Sequence, residues 1–308
     1  APVVVITPLI SSPALDEAVG GTVLLKAENL QRTGSFKIRG ASNLLSQLTP
    51  AQATRGAVAY SSGYHALAVA AAGTMLGIET TIVMPKDAPA VKIENTRRLG
   101  GTTVLYDRYT EDREQIARGI AEERGAVLVP PYNHDHIIAG QGTAGLEIVA
   151  QCEALGQTPD QVLVCCSGGG LTAGCAVAVK SQLPETDMLA VEPEHFDDTR
   201  RSLASGQLEG NDPNARTICD ALMSAPPGEK TFAINRELLS GALLVSDEDV
   251  RAAIGFAFRT LKLVVEPGGA AALAAVLAGK ADYRDKVTVA ILSGGNIDAG
   301  LFADILAD

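Results

Sequence analysis

Short β-rich runs alternate with helical patterns along most of this chain, and that order restricts the fold more than any other feature. The runs "AVAY" (57–60), "TTIVMP" (80–85), "TTVLYD" (102–107) and "AVLVP" (126–130) are separated by "YHALAVAAAGTML", "AVKIENTRRLG" and "EDREQIARGIAEERG". A second set, "QVLVCC" (161–166), "DMLAVEP" (187–193) and "KVTVAIL" (286–292), repeats the alternation. Near-continuous apolar strands joined by helices predict largely parallel sheets covered on both faces. Ser246, three residues before Asp249, predicts a helix start, and "EGNDPNAR" (209–216) and "SAPPGEK" (224–230) predict loops.

With 308 residues, 46% apolar and 20% charged, the chain can bury a sizeable core. A net charge of −11 argues against nucleic acid as a partner, because phosphate backbones require a surplus of Lys and Arg. No apolar run reaches the roughly 18 residues of a membrane span, and "APVVVITPLI" lacks the basic flank of a signal peptide. A cytoplasmic enzyme or binding protein without a membrane partner is the expectation. The five cysteines form no CxxC pair, which fits buried free thiols.

The turns that end the strands are where chemistry is suggested. In "VLVCCSGGGLTAG" a strand ends at Cys166, Ser167–Gly170 make a turn, and a helix is predicted from Leu171. Free N–H groups at such a start, with the helix dipole behind them, attract an anion, and glycines let a phosphate come close. The Lys of a Walker loop is absent, and Gly168, Gly170 and Gly174 miss the dinucleotide spacing by one residue. "LSGGN" (292–296) is a second glycine turn after a strand, and "YSSGYH" offers hydroxyls and a helix start to a carboxylate. Lys37, in "LQRTGSFKIRG", opens an amphipathic helix. On its own it reads as a surface lysine; beside a phosphate cradle and a carboxylate cradle it becomes a candidate Schiff-base nucleophile. Glu192 and Asp198 in "AVEPEHFDD" are hard oxygen donors, or a solvated acidic loop.

Taken in order, "TPL" (7–9), "KAENLQRTGSFKIRGA" (26–41), "SSGYHALAVA" (61–70), "AGQGTAGLE" (139–147), "SGGGLTAG" (167–174), "AVEPEHFDD" and "LSGGN" resemble the fold-type II pyridoxal-phosphate enzymes, in the serine/threonine dehydratase and serine racemase branch. The resemblance covers nearly the whole chain. It implies a two-domain, tryptophan-synthase-β-like α/β fold, with 1–43 plus 132–308 a large cofactor-binding domain and 44–131 a small mobile one. Lys37, with Phe36 beside it, would hold pyridoxal 5'-phosphate and act at the substrate Cα. Ser167, Gly168, Gly169, Gly170 and Leu171 would wrap the phosphate, and Ser293 would face the pyridine nitrogen. Ser61, Ser62, Gly63, Tyr64 and His65 would frame the substrate carboxylate, with Ser62 on the face opposite Lys37. Glu192, the Phe196 carbonyl and Asp198 match a site for Mg²⁺, Mn²⁺ or Ca²⁺.

The implied reaction is dehydration and deamination of a small β-hydroxy-α-amino acid to a 2-oxo acid and ammonia. A serine at the ring nitrogen leaves the cofactor a weaker electron sink, which favours prompt loss of the β-hydroxyl. Amino-acid racemisation by Lys37 and Ser62 is the alternative, and a non-catalytic ligand-binding protein on the same fold a second one. Tyr64 stands where the family has an asparagine at the cofactor's phenolic oxygen. That keeps 3-phenylserine and 3-hydroxyaspartate beside threonine and serine as substrates. Ser167 replaces the loop's first glycine, and Asp220-Ala221 an Asp-Gly pair. A homodimer is the family expectation, and no regulatory domain is expected after Asp308.

Overall fold

The computed structural model describes residues 3–61, 63–223 and 226–307. Its strands are β1 (Leu9–Ser11), β2 (Thr22–Lys26), β3 (Ala57–Tyr60), β4 (Thr80–Pro85) and β5 (Thr102–Tyr106). They continue with β6 (Val127–Leu128), β7 (Gln161–Cys165), β8 (Asp187–Pro193), β9 (Gly241–Val245) and β10 (Val287–Ile291). Among the described residues no helix is long and apolar enough to cross a membrane. The chain divides into two compact units, residues 1–5 with 37–140 and residues 6–36 with 141–308. These limits fall at 37 and 140, whereas the resemblance implies domain limits at 44 and 131. The helix Lys37–Ser46 belongs to the first unit because it packs along the helix Tyr64–Leu76.

In the first unit four parallel strands lie in the order β5-β4-β3-β6. Both faces are covered, which explains the lack of alternation in the sequence. Ala57 and Ala59 join one apolar cluster with Ile38, Leu44 and Val69, while Val58 and Tyr60 join another with Ala117 and Ala121. The expected strand at 126–130 is only Val127–Leu128. Pro130 and Pro131 have no N–H to give a neighbouring strand, so pairing stops there.

In the second unit six strands run β1-β2-β10-β7-β8-β9, all parallel except β1 with β2. The sequence pattern does not mark β1, β2 or β9. Each is three to five residues long, and only Leu239 and Ser240 separate β9 from the helix Glu229–Leu238. The predicted helix start at Ser246 is a full capping box with Asp249.

Both sheets have a point where the strand order reverses. In the first unit β3 has β4 on one side and β6 on the other. In the second, β7 leads outward to β8 and β9, and β10 returns on its opposite side. At such a point the loops leaving the strand C-termini diverge and leave a crevice, where α/β sheets bind ligands. The described residues there are Ser61 and Gly63 after β3, 129–131 after β6, 167–169 after β7 and 293–295 after β10.

Candidate active site

In the first unit Lys37 is half-buried at the first position of its helix, and its Nζ donates to the Pro131 carbonyl at 2.8 Å. His65 is 3% exposed, and its Nε2 lies 2.8 Å from the Val129 carbonyl. A carbonyl only accepts, so Nε2 carries the proton. Burial, and then the nearby Lys37 charge, push the His65 pKa down to about 3, so the ring is neutral at working pH. The two polar side chains are thus tied to two carbonyls of one loop, with Pro130 between them.

The neutral ring also links stability to pH. The folded pKa lies below the ordinary 6.5, so the unfolded chain binds the extra proton between those values. The contribution is complete above pH 6.5 and is lost as pH falls towards 3. Between pH 6 and 4 His65→Gln should flatten the stability profile by up to about 1.4 kcal/mol per pH unit. Urea midpoints at pH 7 and pH 5 measure this, and equal slopes in variant and parent would contradict it.

Ser61 is half-buried and its Oγ accepts from Gly63 N at 3.1 Å. The helix Tyr64–Leu76 starts on Gly63 without a side-chain cap. A helix start of this kind suits a carboxylate. Tyr64 is half-buried on that first turn. Ser62 lies outside the described residues.

In the second unit β7 and β10 are neighbours, so their two glycine turns leave adjacent strand ends. Gly169 caps the helix Gly170–Lys180 at φ 85°, a left-handed conformation that favours glycine. A Cβ there would also meet the Asn235 amide at 2.8 Å. The Gly168 carbonyl accepts from Thr231 Oγ1 at 2.6 Å and from Gly228 N at 3.3 Å, which fixes the turn from behind. Sequence reasoning passed over Thr231, which lies in an ordinary helical pattern far along the chain. Ser167 is half-buried, Gly168 to Gly170 are buried, and Leu171 packs into the core.

The segment before Lys37 lies along the β10 turn. Asn29 N donates to Leu292 O at 2.9 Å, Phe36 N to Ser293 O at 3.1 Å, and Gly295 N to Gly34 O at 2.9 Å. Ser35 bridges Gly294, and Asn296 Nδ2 donates to Thr33 O at 2.7 Å. Lys37 is the next residue along the chain after Phe36. Upstream, Lys26 is fully buried at the end of β2. Its Nζ reaches Thr7 O at 2.7 Å, Glu147 Oε2 at 2.6 Å and Gln151 Oε1 at 2.9 Å.

Glu192 is buried at the end of β8, where Oε1 accepts from Thr199 N and Oε2 from Arg200 N, both at 2.8 Å. Burial, and then Asp198, push its pKa up to about 8. Asp198 is raised to about 6 by burial; its Oδ1 accepts from Asn211 at 2.6 Å and its Oδ2 has no partner. Phe196 is buried between them in sequence. Among the described residues no three His, Cys, Asp or Glu side chains are grouped to hold a metal. All five cysteines are free and buried, as expected.

A doubly wound sheet with glycine turns at its reversal and a lysine segment pinned to one of them defines a class. A family profile described as "Pyridoxal-phosphate dependent enzyme" matches residues 1–294, and the chain belongs to that family. It is 43% identical over 300 residues to an L-threo-3-hydroxyaspartate ammonia-lyase of a Pseudomonas species, covering 97% of this chain and 92% of that one. It is 39% identical over 301 residues to a serine racemase of Schizosaccharomyces pombe, covering 98% and 92%. Among solved structures the serine racemase of maize superposes with a TM-score of 0.92 at 38% identity, covering 99% and 92%. The expected fold and family are borne out.

Proposed function

We propose that this chain is a pyridoxal-phosphate-dependent ammonia-lyase that converts a small β-hydroxy-α-amino acid to a 2-oxo acid and ammonia. The observation that carries the reading is the Phe36–Ser293 backbone bond, which holds the residue preceding Lys37 in the chain against the turn that carries Ser293. The residues present fit the cofactor. A buried glycine turn on an 11-residue helix suits a phosphate, and a neutral serine suits a pyridine nitrogen. Bound there, pyridoxal phosphate supplies the electron sink that makes the substrate Cα–H acidic.

The chain supplies the rest. Lys37 holds the cofactor and moves the Cα proton with its Nζ. The backbone N–H groups from Ser167 to Leu171 hold the phosphate. The helix start at Tyr64, with Ser61 and Gly63, receives the substrate carboxylate, and neutral His65 keeps that turn in place through Val129. Ser293, a neutral group, would hold the ring nitrogen without giving it a proton, which suits elimination. Racemisation by Lys37 and Ser62 is the competing outcome and is read in the same assay.

A panel of L-threonine, L-serine, L-threo-3-hydroxyaspartate and 3-phenylserine, scored for 2-oxo acid and for D-serine, tests the activity. D-serine without 2-oxo acid would replace the lyase by the racemase. Tyr64 is the proposed selector, since its phenol offers a hydrogen bond to a polar β-substituent. Tyr64→Asn should lower the kcat/KM ratio of hydroxyaspartate over threonine about tenfold. An unchanged ratio removes Tyr64 from that role.

A divalent cation on Glu192, the Phe196 carbonyl and Asp198 belongs to the same reading, because a cation would offset the cost of burying these carboxylates, which raises the pKa of both. Running the panel in EDTA and with Mg²⁺, Mn²⁺ or Ca²⁺ tests it; indifference to both discards the cation. A cytoplasmic homodimer without nucleic-acid or membrane partners completes the proposal, supported by the net charge of −11. Its mass in solution tests the dimer.

A further inference from the structure

Glu266 is a charged residue that the proposed reaction does not use. It ends the run "LKLVVE" and stands directly before the helix Pro267–Leu277, yet its side chain does not cap that helix. It is 2% exposed, and its Oε2 has no hydrogen-bond partner. A buried carboxyl left in this state costs free energy that water would otherwise supply. Burial raises its pKa well above the carboxylate range.

Its position is specific. Glu266 N donates to the Gly294 carbonyl at 3.1 Å. A Cβ built on Gly294 would come within 2.3 Å of Glu266 Oε1 and 3.3 Å of Ser35 Cβ. A larger residue after Ser293 would displace the Glu266 carboxyl and crowd Ser35, so both lie against Gly294. The Ser35 hydroxyl is buried, with the residue 1% exposed, and also lacks a partner. Two unpartnered buried polar groups thus flank the turn that carries Ser293, two residues upstream of Lys37 in the case of Ser35. Unsatisfied groups of this kind are rare in a native interior and concentrate where a ligand completes them.

We propose that Glu266 is a positioning residue for the Ser293 end of the site: packed against Gly294 it holds the turn at 293–295, and its unpartnered Oε2 would gain a hydrogen-bond partner when the cofactor loads. This rests on the pyridoxal-phosphate reading. It makes the apoprotein less stable than it could be and the loaded protein tighter.

Two variants test it, each with its apoprotein melting temperature, its Kd for pyridoxal phosphate and its cofactor absorption spectrum. Glu266→Met keeps the volume and removes the polar atoms. Its apoprotein should melt about 2–4 °C higher, while its Kd for the cofactor rises about tenfold or more. Glu266→Gln keeps a hydrogen-bonding group and should hold the Kd within about threefold of the parent, with the absorption maximum unchanged. Opposite signs for apoprotein stability and cofactor affinity are what a merely structural residue would not produce. The inference is overturned by an apoprotein Tm that falls, or a chain that no longer folds, in Glu266→Met. Unchanged affinity in that variant overturns it too, as does a Gln variant that loses as much affinity as Met. If the parent binds pyridoxal phosphate and forms 2-oxo acid in any of those cases, only this inference fails. A parent that takes up no pyridoxal phosphate removes the proposed function along with it.

Discussion

Lys37→Ala is expected to lower 2-oxo acid formation by about 10³-fold or more and to abolish the near-visible absorbance of the bound cofactor. Its melting temperature as apoprotein should stay close to the parent's. The two halves of this expectation have separate causes. Turnover depends on an amine at one place, and no other lysine shares the segment between Arg32 and Ser46. Stability depends on the backbone around it. Ser35, Phe36 and Gly34 are stapled to the β10 turn by main-chain contacts that an alanine leaves intact. Alanine also suits the first turn of the helix Lys37–Ser46 better than most residues. Turnover within tenfold of the parent would remove Lys37 from the chemistry. A collapse in apoprotein stability would instead make it a structural lysine bonded to Pro131.

The second large effect is on folding. Lys26→Met should destabilise the chain by about 3–5 kcal/mol, the range for breaking a buried charge pair from one side. The amine is fully buried, and the Glu147 side chain is 15% exposed. Removing the cation leaves that carboxylate and the Gln151 and Thr7 oxygens facing a methyl group. A second oxygen path adds to the cost, because Thr7 Oγ1 donates to the buried Glu28 at 2.5 Å. The double variant Lys26→Met with Glu147→Leu should recover much of the loss, since replacing both partners removes the unpaired charge. Urea unfolding measures both; a single-variant loss below about 1 kcal/mol would show that the pair is not what holds the end of β2. Lys26 is the last residue of β2, and the lysine-bearing segment follows from it, so cofactor affinity should fall together with stability.

Several features were readable in residues alone because they are local. The helix Tyr64–Leu76 coincides with the quoted run "YHALAVAAAGTML", and the Ser246 cap lies where Ser and Asp three apart put it. The strands β3, β4 and β8 have the limits that their β-branched and apolar runs suggest. The short strands β1, β2 and β9 were not readable. A strand of three to five residues has too few positions for a period, and what makes it a strand is the neighbour it pairs with.

The site divides in the same way. Glycine turns after strands, a lysine at a helix start and a serine after β10 are sequence facts, and their order carried the family resemblance. That Gly168 is held by Thr231, that His65 is neutral because it is buried against Val129, and that Glu266 lies against Gly294 could not be read from it. Each joins residues brought together by a strand order that reverses at β7 and at β3, and no spacing along the chain encodes that adjacency. The sequence by itself determined the class of fold and the residue types available for chemistry, since propensity, capping and glycine geometry act within a few residues. Tertiary structure decided which of those residues are desolvated and which polar atoms lack partners, because both depend on what packs against them from distant parts of the chain.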